Sequence, residues 1–122
     1  MASDIIESAI ETWSKAEVVY QPSPRSATIE AVHLVNLISG EHPELEDNLI
    51  ELTRHEHQLV SAYSLLTLEK MGSSSLADLD EAVLDRREKI SLRQGSFANS
   101  MDLGGLARQI KKRYCSKLEV DK

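Results

Sequence analysis

His55-Glu56-His57 is the triplet in this chain whose residue types suit metal binding or proton transfer. Two histidines at i and i+2 project about 200° apart on a helix, so they share an ion only if the segment is a turn. A metal site would also need a further ligand, for which His33, His42 and Glu56 are the candidates. Solvated polar side chains at a helix junction account for the triplet more simply, so no metal is assigned. Cys115 follows Lys111, Lys112 and Arg113, but it has no identifiable general base and sits beside Tyr114, so it reads as a partly buried structural thiol. No serine stands in a Gly-x-Ser-x-Gly context. The chain therefore reads as no enzyme, with no catalytic residue and no cofactor.

Leu103-Gly104-Gly105 followed by Arg108, Lys111, Lys112 and Arg113 places two glycines at a helix start with cations behind them. Free backbone N–H groups there can hold an anion, although the phosphate-loop pattern itself is missing. The cations belong to a wider asymmetry. Residues 1–90 carry 17 acidic and 7 basic side chains, whereas residues 91–122 carry 7 basic and 3 acidic, within a formal net charge of −6. A basic tail of this kind packs on an acidic body, in its own chain or a partner's, more readily than on nucleic acid, which the body repels.

These groups need elements to position them. At 122 residues the chain fits one domain. Its aromatic content of 4% leaves the core to Leu, Ile, Val and Ala, a supply suited to helix packing. A first helix is expected over 3–19, from Ile6, Ala9, Ile10, Trp13 and Ala16 at spacings of three and four. A second is expected from Ser23-Pro24 to about Ser39, with Gly40 as its cap. His42-Pro43 opens the next stretch, and Gly72 closes it. Whether 43–71 is one helix or two stays open, because no Gly or Pro lies within residues 54–58. Ser75 and Asp78 have capping-box spacing, which predicts a helix ending by Gln94-Gly95 with Leu76, Leu79, Val83 and Ile90 inward. Residues 95–105 are the least regular stretch. A basic helix follows over about 103–118, with Leu106, Ile110, Tyr114 and Leu118 on its apolar stripe. No alternating strand pattern of useful length stands out, so the expected class is all-α. The expected core is Ile6, Ile10, Trp13, Val32, Val35, Leu49, Leu52, Val60, Tyr63, Leu66, Leu79, Val83, Leu106 and Ile110.

An offset of 31 residues brings Ile29 over Val60, Ala31 over Ala62, Leu34 over Leu65, Val35 over Leu66, Leu37 over Leu68 and Leu45 over Leu76. Such an offset is what stacked helix-pair units produce. Within residues 49–72, Leu49, Ile50 and Leu52 precede a polar turn, and Val60, Ala62, Leu68, Lys70, Met71 and Gly72 follow it. This stretch resembles one short HEAT-like repeat. The match covers about 25 residues well and about 60 loosely. Gln58 stands where the family often has proline, and Ser61 where it often has a basic residue. The resemblance implies a small HEAT-like or right-angled bundle of about five to six helices, acting as a binding scaffold with no chemistry of its own.

The reading is therefore a single α-helical domain over 1–122 that binds a protein partner or a second copy of itself as a scaffold or adaptor. The contact residues expected for it are His55, His57 and Ser61 at the junction, and Arg108, Lys111, Lys112 and Arg113 on the last helix. The alternative is a nucleic-acid-linked regulator that uses the basic helix. The opening residues 1–13 hold no basic cluster and no long apolar run, and Cys115 is the single cysteine, so a cytoplasmic protein with no membrane partner is expected.

Overall fold

Ten consecutive residues, 59–68, are buried in one helix, including Ser61, Ser64 and Thr67. A helix with no polar face has to be enclosed by its neighbours. In the computed structural model, which describes residues 2–21, 28–94 and 97–120, the chain order supplies those neighbours. Helix α1 (Ala2–Lys15) leads into a short strand β1 (Val19–Tyr20), and α2 (Glu30–Glu41) follows. A 3-10 turn at Pro43–Leu45 opens α3 (Glu46–Leu52), and the central α4 spans Gln58–Met71. A second 3-10 turn (Ser74–Asp78), a one-turn helix α5 (Glu81–Leu84), a hairpin of β2 (Lys89–Gln94) and β3 (Phe97–Asp102), and α6 (Leu103–Val120) complete the fold.

The stretch left open at 43–71 is thus two helices. They part over residues 53–57, and the next helix then holds to Gly72. Gly72 takes φ 72°, the left-handed cap that glycine adopts without a Cβ clash, and Ser73 N–H reaches back to Leu68 O (3.0 Å). Gly40, by contrast, is not a cap. It lies inside α2, whose end is set at His42 by the following Pro43; His42 takes φ −131° and its N–H donates to Ile38 O (2.9 Å). Ser23-Pro24 and Gly95 lie outside the described residues, but the second helix does not reach back as expected: Ile29 is extended (φ −74°, ψ 127°) and α2 begins at Glu30.

The all-α reading needs correction. The molecule is mostly helical, but β1, β2 and β3 form a three-stranded sheet in that order, with β1 parallel and β3 antiparallel to β2. Two expected helices lose residues to it. The first stops at Lys15 instead of residue 19, because the Tyr63 hydroxyl donates to Val18 O (2.7 Å) and accepts from Tyr20 N–H (3.0 Å), holding these residues extended. The helix expected to run from Ser75 to Gln94 breaks into three elements. Ser73, not Ser75, caps the 3-10 turn by accepting from Ser75 N–H (3.2 Å), and Asp80 caps α5 by accepting from Ala82 N–H (3.0 Å). Beyond Leu84 the run Asp85-Arg-Arg-Glu-Lys89 offers nothing apolar for a continuing helix to bury. Ile90 is buried and Leu92 half-buried, between exposed Lys89, Ser91 and Arg93, which is the period of a strand with one face inward. Ile90 also stands seven residues after Val83, so it satisfied the helical pattern as well.

The core follows the expected list closely. Ile6, Ile10 and Leu79 are half-buried at its margin, and the other eleven are buried. Trp13 stacks on Tyr63 at 5.8 Å, and its indole N–H donates to Ala31 O (3.0 Å), so α1, α2 and α4 meet at one point. Burial pushes the Tyr63 phenol up to about 12. The 31-residue offset also has a structural counterpart. A helix, a 3-10 turn and a shorter helix occur as α2, Pro43–Leu45 and α3, then again as α4, Ser74–Asp78 and α5. Leu45 and Leu76 occupy the two turns, both buried.

Helix α6 docks through Leu103, Leu106, Ala107 and Ile110, all fully buried. Its second residue explains the glycine pair. Gly104 N–H donates to Arg86 O (2.8 Å), and a Cβ at Gly104 would collide with the carbonyl oxygens of Leu84 and Arg86, the latter at 2.7 Å. At Gly105 a Cβ would meet no more than the Met101 methyl at 3.6 Å, an ordinary contact. Gly104→Ala should therefore destabilise by about 1–3 kcal/mol through overpacking against backbone. Gly105→Ala should be neutral or stabilising by up to about 1 kcal/mol, the helix-propensity gain. Urea denaturation of the two variants measures both.

Candidate functional site

The histidine triplet lies in the turn between α3 and α4. His55 Nδ1 accepts from His57 N–H (3.0 Å), and His57 Nδ1 accepts from Leu59 N–H (3.2 Å), which makes His57 the side-chain cap of α4. Each imidazole has spent its Nδ1 on the backbone. Among the described residues no group of three or more His, Cys, Asp or Glu side chains is placed to hold an ion. Ser61, expected at a contact surface, is fully buried, and its hydroxyl donates to Thr53 O (2.5 Å). It closes the turn from inside and does not reach the surface.

The residue that organises this turn is Arg86, which the sequence pattern did not single out. One guanidinium nitrogen donates to His55 O (2.6 Å) and, at longer range, to Thr53 O (3.4 Å); the other donates to Glu56 O (3.1 Å), and Nε donates to Glu88 Oε2 (2.6 Å). Its side chain is 12% exposed. A planar fork with five donors fits a cluster of carbonyls left over at the end of a helix, which an ammonium cannot match. Arg86 was hidden because it sits in a run of five charged residues that reads as a solvated face.

On α6 the expected contact residues divide. Arg113 is taken by α4, its Nε and Nη2 donating to the two carboxylate oxygens of Glu69 (2.8 and 3.0 Å), a bidentate pair that raises the Arg113 pKa. The pair carries out within one molecule the packing of basic tail on acidic body that the charge asymmetry suggested. Arg108 and Lys112 are exposed and Lys111 is half-buried. Near the start of α6, a hydrogen bond from Lys89 (2.9 Å) holds the Asp102 carboxyl below the usual range, with smaller contributions from the charges of Arg87 and Arg108. The anion cradle expected at the glycine pair is not available as drawn. Leu103 N–H donates to Glu88 O and Gly104 N–H to Arg86 O, both at 2.8 Å. Cys115 is a half-buried free thiol next to Tyr114.

An open cleft of about 370 Å3 lies where the hairpin meets α6. Leu92 contributes to it from β2, Ala98, Asn99 and Met101 from β3, Gln109 and Arg113 from α6, and Gln21 from the end of β1. It brings Arg113 together with residues that no motif had marked. Leu92, Ala98, Asn99 and Met101 lie on strands that the sequence pattern reads as helix or loop, so the cleft had no signature. No protein-family model matches this chain, and comparison with curated proteins and with solved structures finds no similar one.

Removing the Arg86 fork leaves the partly buried His55 carbonyl without a donor and frees the turn at Glu56, at a cost of about 1–3 kcal/mol. Arg86→Ala should therefore lower Tm by several degrees, and Arg86→Lys should recover little of the loss, whereas exposed Arg87→Ala should leave Tm nearly unchanged. A thermal melt of the three variants is the check, and equal melting of Arg86→Ala and Arg87→Ala would contradict the assignment.

Proposed function

We propose that this chain is a non-catalytic protein-binding module of the scaffold or adaptor kind, working in the cytoplasm. The observation that carries the reading is β3. It is a six-residue strand at the end of the sheet order among the described residues, with Ala98, Asn99 and Ser100 exposed and Ala98 and Asn99 also lining the cleft. An exposed strand edge beside a groove is a surface that another chain can extend. The twofold succession of helix, 3-10 turn and short helix supports the helical-repeat side of the proposal, in which α3, its turn and α4 act as a HEAT-like unit. The proposal assigns no reaction. No described helix is long and apolar enough to cross a membrane.

A second reading rests on Arg108 and Lys112, which α6 leaves exposed, and makes the chain a nucleic-acid-linked regulator. Because Arg113 is engaged by Glu69, this reading has fewer free cations than the sequence suggested. The two readings part in one experiment. Tagged protein is recovered from its native lysate with and without nuclease, at low and moderate salt, and its companions are identified by mass spectrometry. A defined protein retained after nuclease is the expected result. Recovery that disappears with nuclease would transfer the assignment to the basic helix.

A further inference from the structure

The turn between α3 and α4 divides its main-chain polar groups between two kinds of side chain. Its carbonyls are answered by one cation, since Arg86 donates to the oxygens of Thr53, His55 and Glu56. Two of its N–H groups are answered by imidazoles, His57 N–H by His55 Nδ1 (3.0 Å) and Leu59 N–H by His57 Nδ1 (3.2 Å). A guanidinium keeps its charge at any pH a folded protein meets, so the first half of this arrangement is fixed. The second half is not, because a ring nitrogen accepts a hydrogen bond only while it carries no proton.

The two bonds require neutral rings with the proton on Nε2. A proton added at Nδ1 turns the acceptor into a donor that faces an N–H group. On His57, the cap residue, it also puts a positive charge at the positive end of the α4 dipole. The charged groups set at the turn offer little relief. Arg86 brings a second cation from the approach to β2, and its Nε already holds Glu88 (2.6 Å). Asp80, at the start of α5, is engaged by Arg54 (3.4 Å), and Glu56 is exposed, where solvent screens it. The other two histidines stand on α2 and at its end. His33 is exposed, and His42 Nδ1 lies 3.1 Å from Glu44 Oε1, where a proton gains an ion pair and acts in the opposite direction.

We infer that the α3–α4 turn is an acid-sensitive latch, closed by neutral His55 and His57 and released when either imidazole is protonated at Nδ1. The folded protein gives up a main-chain hydrogen bond on taking up that proton, and the unfolded chain does not. The stability that the latch contributes is therefore present above the range in which imidazoles charge and is lost as pH falls through it. The inference goes beyond the protein-binding reading and does not depend on it.

The test compares wild type with a double variant, His55→Asn combined with His57→Asn. Asparagine places its Oδ1 where Nδ1 stood, accepts from the N–H two residues on, and does not titrate. Thermal melts at pH 7.5 and pH 5.5 give the loss of Tm on acidification for each chain, and the contributions of His33, His42 and the carboxylates are common to both. The expected result is a loss larger in wild type than in the double variant by about 3 °C or more. An equal loss, or a larger one in the variant, overturns the inference. NMR of wild type alone decides the matter if the variant does not fold. The expected spectra show both rings as the Nε2–H tautomer at pH 7.5, with the His57 and Leu59 amide protons moving upfield as the imidazoles titrate. Rings protonated on Nδ1 at pH 7.5, or amide shifts of His57 and Leu59 that do not follow the titration, overturn it as well.

Discussion

The fold depends on burying α4 on every side. A helix that sends ten successive residues into the interior cannot lie on a surface, so α1, α2, α3, α6 and the strands β1 and β2 cover it. Besides the Tyr63 phenol, its buried hydroxyls show how the polar cost is met. Ser64 donates to Val60 O (2.8 Å) and Thr67 to Tyr63 O (2.7 Å), each four residues back, while Ser61 bonds outside the helix to Thr53 O. The helix thus brings no orphaned hydroxyl into the core. It can then act as the post against which α1, α2, α3, α6 and the sheet are set.

The open cleft is a consequence of that arrangement. Tyr63 stacks on Trp13 through its ring and fixes Val18 and Tyr20 through its hydroxyl, so α4 places β1. β1 pairs in parallel with β2, and β2 carries β3. On the other side Glu69 holds Arg113, and the close approach at Gly104 fixes the entry of α6. The cleft lies between two arms, both anchored on one helix, and its position is set by packing some distance away.

How much of this was legible in the sequence depends on whether local pattern and tertiary pairing agreed. Where they agreed, as in the apolar run of α4, the cap at Gly72 and the stripe of α6 as far as Tyr114, the reading and the structure coincide. Where they disagreed, pairing won. Ile90 fits a helix with Val83 or a strand with Leu92, and what decides is β1 on one side and β3 on the other, both distant from it in pattern. The same holds for the candidate residues. His55 and His57 are polar residues at a junction, as expected, but their work is to receive backbone N–H groups; Ser61 is polar and hidden. Arg86 shows the limit most clearly, since nothing in Asp-Arg-Arg-Glu-Lys says which arginine turns inward to the carbonyls of a turn about 30 residues earlier.

Native-state hydrogen exchange followed by NMR is the measurement that tests the central claim, that α4 is the element on which the rest is built. The account predicts that amides of residues 59–68 exchange only through global unfolding, with opening free energies equal to the stability measured in urea, while the edge amides of Ala98 and Ser100 exchange far faster. Opening of α4 in a local or subglobal step, with α2 or α6 still protected, would contradict it.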